Sequence, residues 1–398
     1  MSDERLPLIA ALIFGMAYVF MTPPFAVPDE EFHFWRAAAI AMGHVVPNGG
    51  GKPDSAHIPQ GLKTLVWVMQ TTIDFQLAYR IPLEPMKEPP VQFPAWYTPV
   101  PFLPQALVVE IGRRFDVRPL VIFYAGRFAN LFASLALIGF SLRISAGFRT
   151  VVAAVALLPT TLFEFASWSA DAMTIAASLL FIALLSSEQK FATCVAGVVV
   201  GLCKPAYFLT AFVARRRVIV PVLLCVGAAT LIAFAYAHRA AYQQRTDLPI
   251  APASQLQCIL AQPLRFASVI AKDALHHGWW YVEGAIAPVR LPLVVTWFAL
   301  LLLLAVGITS SATANRLLAL GIFIATAAGV LLSQFLVWSA ICGDVIEGVQ
   351  GRYFLPVLPL LLVSMRGRIR WQPSMMLVVA VACIMNVIVL SIIGVNAG

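Results

Sequence analysis

Ten apolar stretches dominate the chain: 6–24, 119–142, 150–165, 171–185, 191–213, 218–237, 291–308, 317–338, 354–365 and 374–395. Most approach the roughly 20 residues that an α-helix needs to cross a hydrocarbon core. Short polar connectors separate them, so the pattern predicts an all-α integral membrane protein. The connectors are basic at 143–149, 190, 215–217, 316 and 366–370. Lys and Arg concentrate in cytoplasmic loops, so Arg5 is placed in the cytoplasm and the crossings are counted from there. That puts Arg143, Arg149 and Lys190 inside.

The stretch 191–213 decides the rest. As one crossing it would throw Arg215-Arg216-Arg217 outside. Gly201-Leu202-Cys203-Lys204-Pro205 interrupts it in the middle. Proline disfavours helix at the residue before it, and a lysine is expensive in lipid. Two half-helices meeting near the outer face resolve both problems; the alternative is a kinked full span with a snorkelling Lys204. With the broken pair, every later basic connector also falls inside. The scheme is a single domain over 1–398 with about eleven transmembrane helical pieces. Its large outward segments are 25–118, 238–290 and 339–352.

Residues 25–118 are too apolar for a free loop. Phe32, Phe34, Trp35, Ala39 and Met42 recur at helical spacing and predict an amphipathic helix lying in the interface. The stretch 105–112 is too short to span and predicts a second surface helix. A short transmembrane helix ending at Arg113-Arg114 is the alternative, and it would turn the rest of the chain over.

Composition supports the membrane reading. Of 398 residues, 60% are hydrophobic and 12% charged, more apolar surface than a soluble domain can hide. The formal charge of +8 is assigned to the topology-setting loops rather than to nucleic acid. No C-x-x-C pair occurs among the six cysteines, so neither a zinc site nor a disulfide framework is expected. No A-x-A site follows the first stretch, so 6–24 is read as a retained span.

The candidate chemistry is Asp29, Glu30, Glu31, His33, Asp171, Lys204, His276, His277, Asp344 and Glu347, all on the outward side in this scheme. Ionisable residues at a membrane boundary are functional candidates by default. His276-His277-Gly278-Trp279-Trp280-Tyr281 is a weak metal motif, because adjacent side chains on a helix diverge; sugar stacking on Trp279, Trp280 or Tyr281 explains it better, and an aromatic belt better still. A divalent cation held by Asp29 and Asp171 is the one cofactor left open.

Six segments then carry a resemblance. Pro28-Asp29-Glu30-Glu31-Phe32-His33-Phe34-Trp35-Arg36-Ala37 looks like a P-D-E-x-x-H-x-x-R-A opening, and 93–103 like a proline-rich segment. Arg127 and Asn130 are similar to an R-x-x-N span, and 158–171 to a P…D motif ending at Asp171. Gly201 to Pro205 is similar to a G-x-x-K-P break, and Gln350-Gly351-Arg352-Tyr353 with Pro356 to a Q-G-R-Y-x-x-P ending. In this order the motifs resemble a bacterial membrane family of unknown function within the GT-C superfamily of lipid-linked glycosyltransferases. One departure is Ser169, where that family often has asparagine.

The resemblance implies a GT-C-like bundle, an acidic residue in the first outward loop, a polyprenyl-phosphate sugar donor and an outward-facing site. The function expected is transfer of a sugar to an envelope glycan or lipid-linked acceptor at the outer face of a bacterial cytoplasmic membrane. Such chemistry needs a base for the acceptor hydroxyl, a cation for the departing phosphate, and an apolar groove for the lipid. Asp29 is the chosen base and Glu30 the next candidate. Lys204 and Arg352, with Arg127 behind them, are assigned to the phosphate. Arg127 is expected to pair with Asp171 or Glu164. His33, three residues after Glu30, could face it, and Tyr353 follows Arg352 in the ending motif. A transporter or flippase of a lipid-linked or anionic solute is the alternative, since broken helices and buried charges would serve it equally.

Overall fold

The computed structural model describes residues 4–49, 54–86, 89–144, 146–185, 187, 189–240, 250–312, 315–367 and 373–397. Gly50, Gly51 and residues 368–370 of the last basic connector lie outside them.

Helix α1 (Arg5–Met21) enters a layer made by 25–118: α2 (Glu30–Ala41), β1 (Asp54–Ala56), α3 (Gln60–Thr71), α4 (Phe75–Arg80), β2 (Val91–Phe93) and α5 (Leu103–Arg114). The bundle continues with α6 (Pro119–Ile144), α7 (Arg149–Ala156), α8 (Pro159–Phe165), α9 (Ala170–Leu185) and α10 (Lys190–Cys203). It ends with α11 (Ile219–Arg239), α12 (Pro252–Ala261), α13 (Pro263–Ile286), α14 (Leu293–Ile308), α15 (Arg316–Val337), α16 (Leu358–Ser364) and α17 (Met375–Ala397).

The count of eleven transmembrane pieces is not supported. Among the described residues four helices are long and apolar enough to cross a membrane: Pro119–Ile144, Ile219–Arg239, Arg316–Val337 and Met375–Val395. A fifth candidate is bent by 79° between α7 and α8. The cause is Pro159: it opens α8, and Leu158 before it is forced into the extended region (φ −59°, ψ 137°). Helices α1, α9, α10 and α14 are apolar but shorter. Helix α9 is buried on nearly all sides, as expected of a helix that is hydrophobic all round.

Two neighbouring helices report the chain direction at Lys204. Gly197 of α10 faces Val226 of α11, and Gly201 faces Ala229 and Thr230, so the two helices run parallel. The chain must therefore return to the start of α10 before α11 begins. It does so in the 3-10 helix Pro205–Val213, which covers about 18 Å at roughly 2 Å per residue. Lys204 is the extended residue at the break (φ −146°, ψ 116°). The hairpin, not the kinked span, is what forms.

Helices α1 and α6 are antiparallel, with Gly15 against Leu131 and Gly139 against Leu8. At one end Glu4 pairs with Arg149 (3.0 Å) and lies 3.9 Å from Arg143. At that end Arg149 also donates to the Leu142 carbonyl (3.0 Å), Gly147 sits against Ser311 and Ala312, Arg366 donates to the Ala312 carbonyl (2.7 Å) and Arg316 to Ser364 (3.1 Å). This basic end is opposite the end bearing Lys204 and Asp171.

The 25–118 layer has its own core, including Phe34, Leu62, Phe93, Phe102, Phe123 and Trp168. Helix α2 is largely buried in it, so it is not a helix lying on lipid. Helix α5 does keep a surface stripe, with Leu103, Leu107, Ile111 and Phe115 exposed at four-residue spacing. The ribbon pairs Asp54 with Phe93 and Ala56 with Val91. Trp168, between α8 and α9, joins the layer to α6: its ring meets Phe34 (4.7 Å), its indole donates to the Phe123 carbonyl (2.9 Å), and a Cβ at Gly126 would fall 2.0 Å from its ring.

Cys258 and Cys342 form a disulfide with Cα atoms 5.7 Å apart, which corrects the expectation of no disulfides. It joins α12 to 339–350, the segment that leads to Arg352. Gln255 binds the Phe335 carbonyl near the end of α15 and, in the same segment, the Ala340 carbonyl and the Cys342 amide, and Arg265 pairs with Asp344 (3.0 Å).

Candidate functional site

The 28–36 run splits into residues with different surroundings. Asp29 is the N-cap of α2 yet its side chain caps nothing, and its backbone is left-handed at φ 64°. A non-glycine residue there costs of order 1 kcal/mol or more and is typical of functional sites. Its carboxylate is 49% exposed and accepts a bond from Arg352 Nη2 (3.2 Å).

Glu30 is sealed. Its carboxylate accepts from Arg127 Nε (2.8 Å) and Nη2 (2.7 Å), the Phe25 amide (2.9 Å) and the Trp168 amide (3.1 Å). Arg127 also donates to the Val19, Thr22 and Pro23 carbonyls at the end of α1 (3.0, 2.7 and 3.1 Å). That satisfies orphan carbonyls of a helix terminus and saturates the guanidinium. Both side chains are 0% exposed. The pair is a knot between α1, α2 and α6. Arg127 does not reach Asp171 or Glu164, and neither partner can meet a substrate.

Arg352 gathers the remaining acids. It comes from the short 3-10 helix Gly351–Phe354, which presses against α13: a Cβ at Gly351 would fall 2.3 Å from the Tyr281 carbonyl and the Ala285 amide, so only glycine fits. Arg352 is 7% exposed; besides Asp29, its Nη1 donates to Glu164 (3.1 Å) and its Nε lies 3.0 Å from Asp171 Oδ2. The Nε contact lacks hydrogen-bond alignment and leaves a buried donor without an acceptor. Asp344 is engaged by Arg265 instead.

Asp171, in the first turn of α9, also forms an ion pair with Lys204. The Lys204 ammonium lies over the rings of Tyr97 (5.0 Å) and Tyr353 (4.7 Å), a cation–π arrangement. Tyr207 fixes the Tyr353 backbone through its carbonyl (2.8 Å). Ser169 links two acids: its hydroxyl donates to Glu164 (2.5 Å) and accepts from the Asp171 amide (3.0 Å).

His33 packs on Phe102, ring centres 5.5 Å apart. Burial pushes its pKa down to about 4; Arg352 and Lys204 act in the same direction, while Asp29 and Asp171 oppose. It is a neutral imidazole at pH 7, at the acid cluster rather than on Glu30, whose oxygens are already taken.

Arg352 and Glu164 form the charged wall of a cavity of about 600 Å³. The other walls are mainly apolar, including Pro28, Phe163, Ala287, Pro288, Val289 and Ile393. Trp280 and Gly284 of α13 border it. Trp279 does not: its indole donates to Glu283 (2.7 Å) and its ring lies 5.6 Å from Trp297, an aromatic belt. His276 and His277 bond one turn back on α13, to the Lys272 carbonyl and Asp273. Glu31 is held by Trp35 and Gln70.

Among the described residues no group of three or more His, Cys, Asp or Glu side chains is placed to hold a metal ion. The cation between Asp29 and Asp171 is the Arg352 guanidinium.

The site thus joins Asp29, His33, Asp171, Lys204, Arg352 and Tyr353 and leaves out Glu30, Arg127 and Trp279. Sequence reasoning missed the role of Glu164 in the wall. The signal was present: an acid inside an apolar stretch is costly unless it faces a partner or cavity. Tyr97 was hidden in the proline-rich segment.

Residues 12–361 match the family described as "Predicted membrane protein (DUF2142)". The chain belongs to that family. No curated protein and no solved structure matches it significantly. The match runs from the second turn of α1 to α16 and so contains every residue of the site.

Proposed function

We propose that this DUF2142 protein is a glycosyltransferase of GT-C type. It would move a sugar from a polyprenyl-phosphate donor to an envelope glycan or lipid-linked acceptor. The observation that carries the reading is the cavity at Arg352: one charged wall in an otherwise mainly apolar space, beside a strained and half-exposed carboxylate.

In this reading the isoprenoid tail lies along Phe163, Val289 and Ile393, with the phosphate at Arg352. Arg is suited to phosphate, and its misaligned Nε is a donor ready for a new acceptor. The acceptor hydroxyl attacks the anomeric carbon, Asp29 takes its proton, and the bond from that carbon to the phosphate oxygen breaks. The electron pair leaves with the polyprenyl phosphate, whose charge Arg352 and Lys204 steady. Because Asp29, Glu164 and Asp171 already engage both cations, phosphate must share Arg352 rather than find it free. Neutral His33 is a second group able to relay the proton.

The charge distribution supports placing this end on the outer face, since the basic connectors gather at the other end. The disulfide at the acidic end agrees, because such bonds persist in oxidising compartments.

The test is to supply purified full-length protein with labelled polyprenyl-phosphate sugars and extracted envelope glycans. Label should move to the acceptor. No transfer across a broad donor panel contradicts the reading.

A further inference from the structure

A second cavity is separate in residues and chemistry from the one at Arg352. It is a wholly apolar groove of about 400 Å³, lined by Phe20 of α1, Tyr79 of α4 and Val121, Tyr124, Ala125 and Phe128 of α6. It shares no lining residue with the Arg352 cavity. From Val121 to Phe128 it follows α6 for about 10 Å at 1.5 Å per residue. These positions lie on a helix long and apolar enough to cross a membrane. Phe20 and Val121 expose 60% and 44% of their surface, so the groove opens sideways toward acyl chains rather than into the protein.

At its mouth stands a held cation. Arg118, the exposed residue just before α6, places its guanidinium 4.3 Å over the Tyr79 ring and donates to the Tyr79 carbonyl (3.3 Å). Tyr79 is thus both a wall of the groove and the platform for the charge. Arg80 follows it and is also exposed. The nearby carboxylates have other duties: Asp74 caps α4, and Glu110 is taken by Arg113 and Arg114. Asp116, in the connector to α6, and Glu84, four residues beyond Arg80, are further exposed carboxylates in these segments.

A groove for an acyl chain, ending at an arginine with donors to spare at a membrane boundary, has the chemistry of one ligand class. We infer that it is a binding site for an anionic phospholipid, with one chain against α1 and α6 and the phosphate at Arg118. Arginine is pre-organised for phosphate, and stacking on Tyr79 reduces the entropy lost when it engages. The occupant would bridge α1, α4 and α6, bracing the helix end that the Glu30–Arg127 knot holds from within. This inference does not depend on the glycosyltransferase reading.

The experiment is native mass spectrometry of the full chain released from detergent with added phosphatidylglycerol or phosphatidylcholine. Phosphatidylglycerol should be retained about fivefold more strongly, the contribution of one basic residue at a membrane surface. Arg118→Gln, a change at an exposed side chain, should bring it down to the phosphatidylcholine level. Ala125→Trp fills the groove while leaving Arg118 in place and should weaken both lipids; gel filtration of each variant confirms a monodisperse fold. Equal retention of the two lipids by wild type, or phosphatidylglycerol retention unchanged in both variants, overturns the site.

Discussion

Asp29 and Glu30 are chemically similar neighbours whose duties are divided by what surrounds them. Glu30 spends its acceptor capacity on Arg127 and two amides, whereas Asp29 keeps an exposed face and a strained backbone. Glu30→Gln leaves Arg127 as an uncompensated buried charge and should cost about 3–5 kcal/mol, read as a lower thermal midpoint in detergent. Asp29→Asn should stay within about 1 kcal/mol of wild type, because asparagine accepts the left-handed backbone. A stability loss at Asp29 as large as that at Glu30 would contradict the division. Nothing along the chain distinguishes the two acids: the knot depends on Arg127, which is 97 positions away from Glu30, arriving on the correct face of α6.

His33 gives the site a pH signature. Its folded pKa of about 4 lies below the ordinary 6.5, so the unfolded state binds the proton more readily. Its contribution to stability is therefore whole above pH 6.5 and is lost as pH falls toward 4. Thermal midpoints of wild type should drop across that window, and His33→Gln should flatten the drop. An identical slope in the variant would remove His33 from the cluster.

At the scale of elements, the hairpin at Lys204-Pro205 was legible because two independent rules met there: proline breaks helix, and Arg215-Arg216-Arg217 prefer the cytoplasmic side. The bend at Leu158-Pro159 was less so, since 150–165 reads as continuous apolar chain even though it contains Pro159. The buried state of α2 was also illegible; helical spacing reports an apolar face without saying whether lipid or protein covers it. The disulfide escaped because its partners are 84 residues apart and no local motif marks them. A cysteine placed at Arg216 should be labelled from the same side as one placed at Lys190, where α10 begins. Labelling from opposite sides would contradict the hairpin. Cys342→Ser should lower stability by about 2–4 kcal/mol through the released 339–350 segment, with a Tm unchanged from wild type as the opposing result.

For the whole molecule, the basic end, the acidic end and the cavity between α1, α8, α13 and α17 form one arrangement. The polarity of the bundle was readable from its connectors alone. The site was readable as a set of residues but not as a network, because Arg352 meets Asp29, Glu164 and Asp171 only when three distant segments converge. In the proposed reaction this convergence transfers a sugar from a lipid phosphate with Asp29 as base. Single-turnover transfer by wild type and by Asp29→Asn, each at matched folded concentration, tests it most directly. Asp29→Asn should lose about 100-fold or more in rate with its thermal midpoint kept; transfer by Asp29→Asn near the wild-type rate would rule Asp29 out as the base.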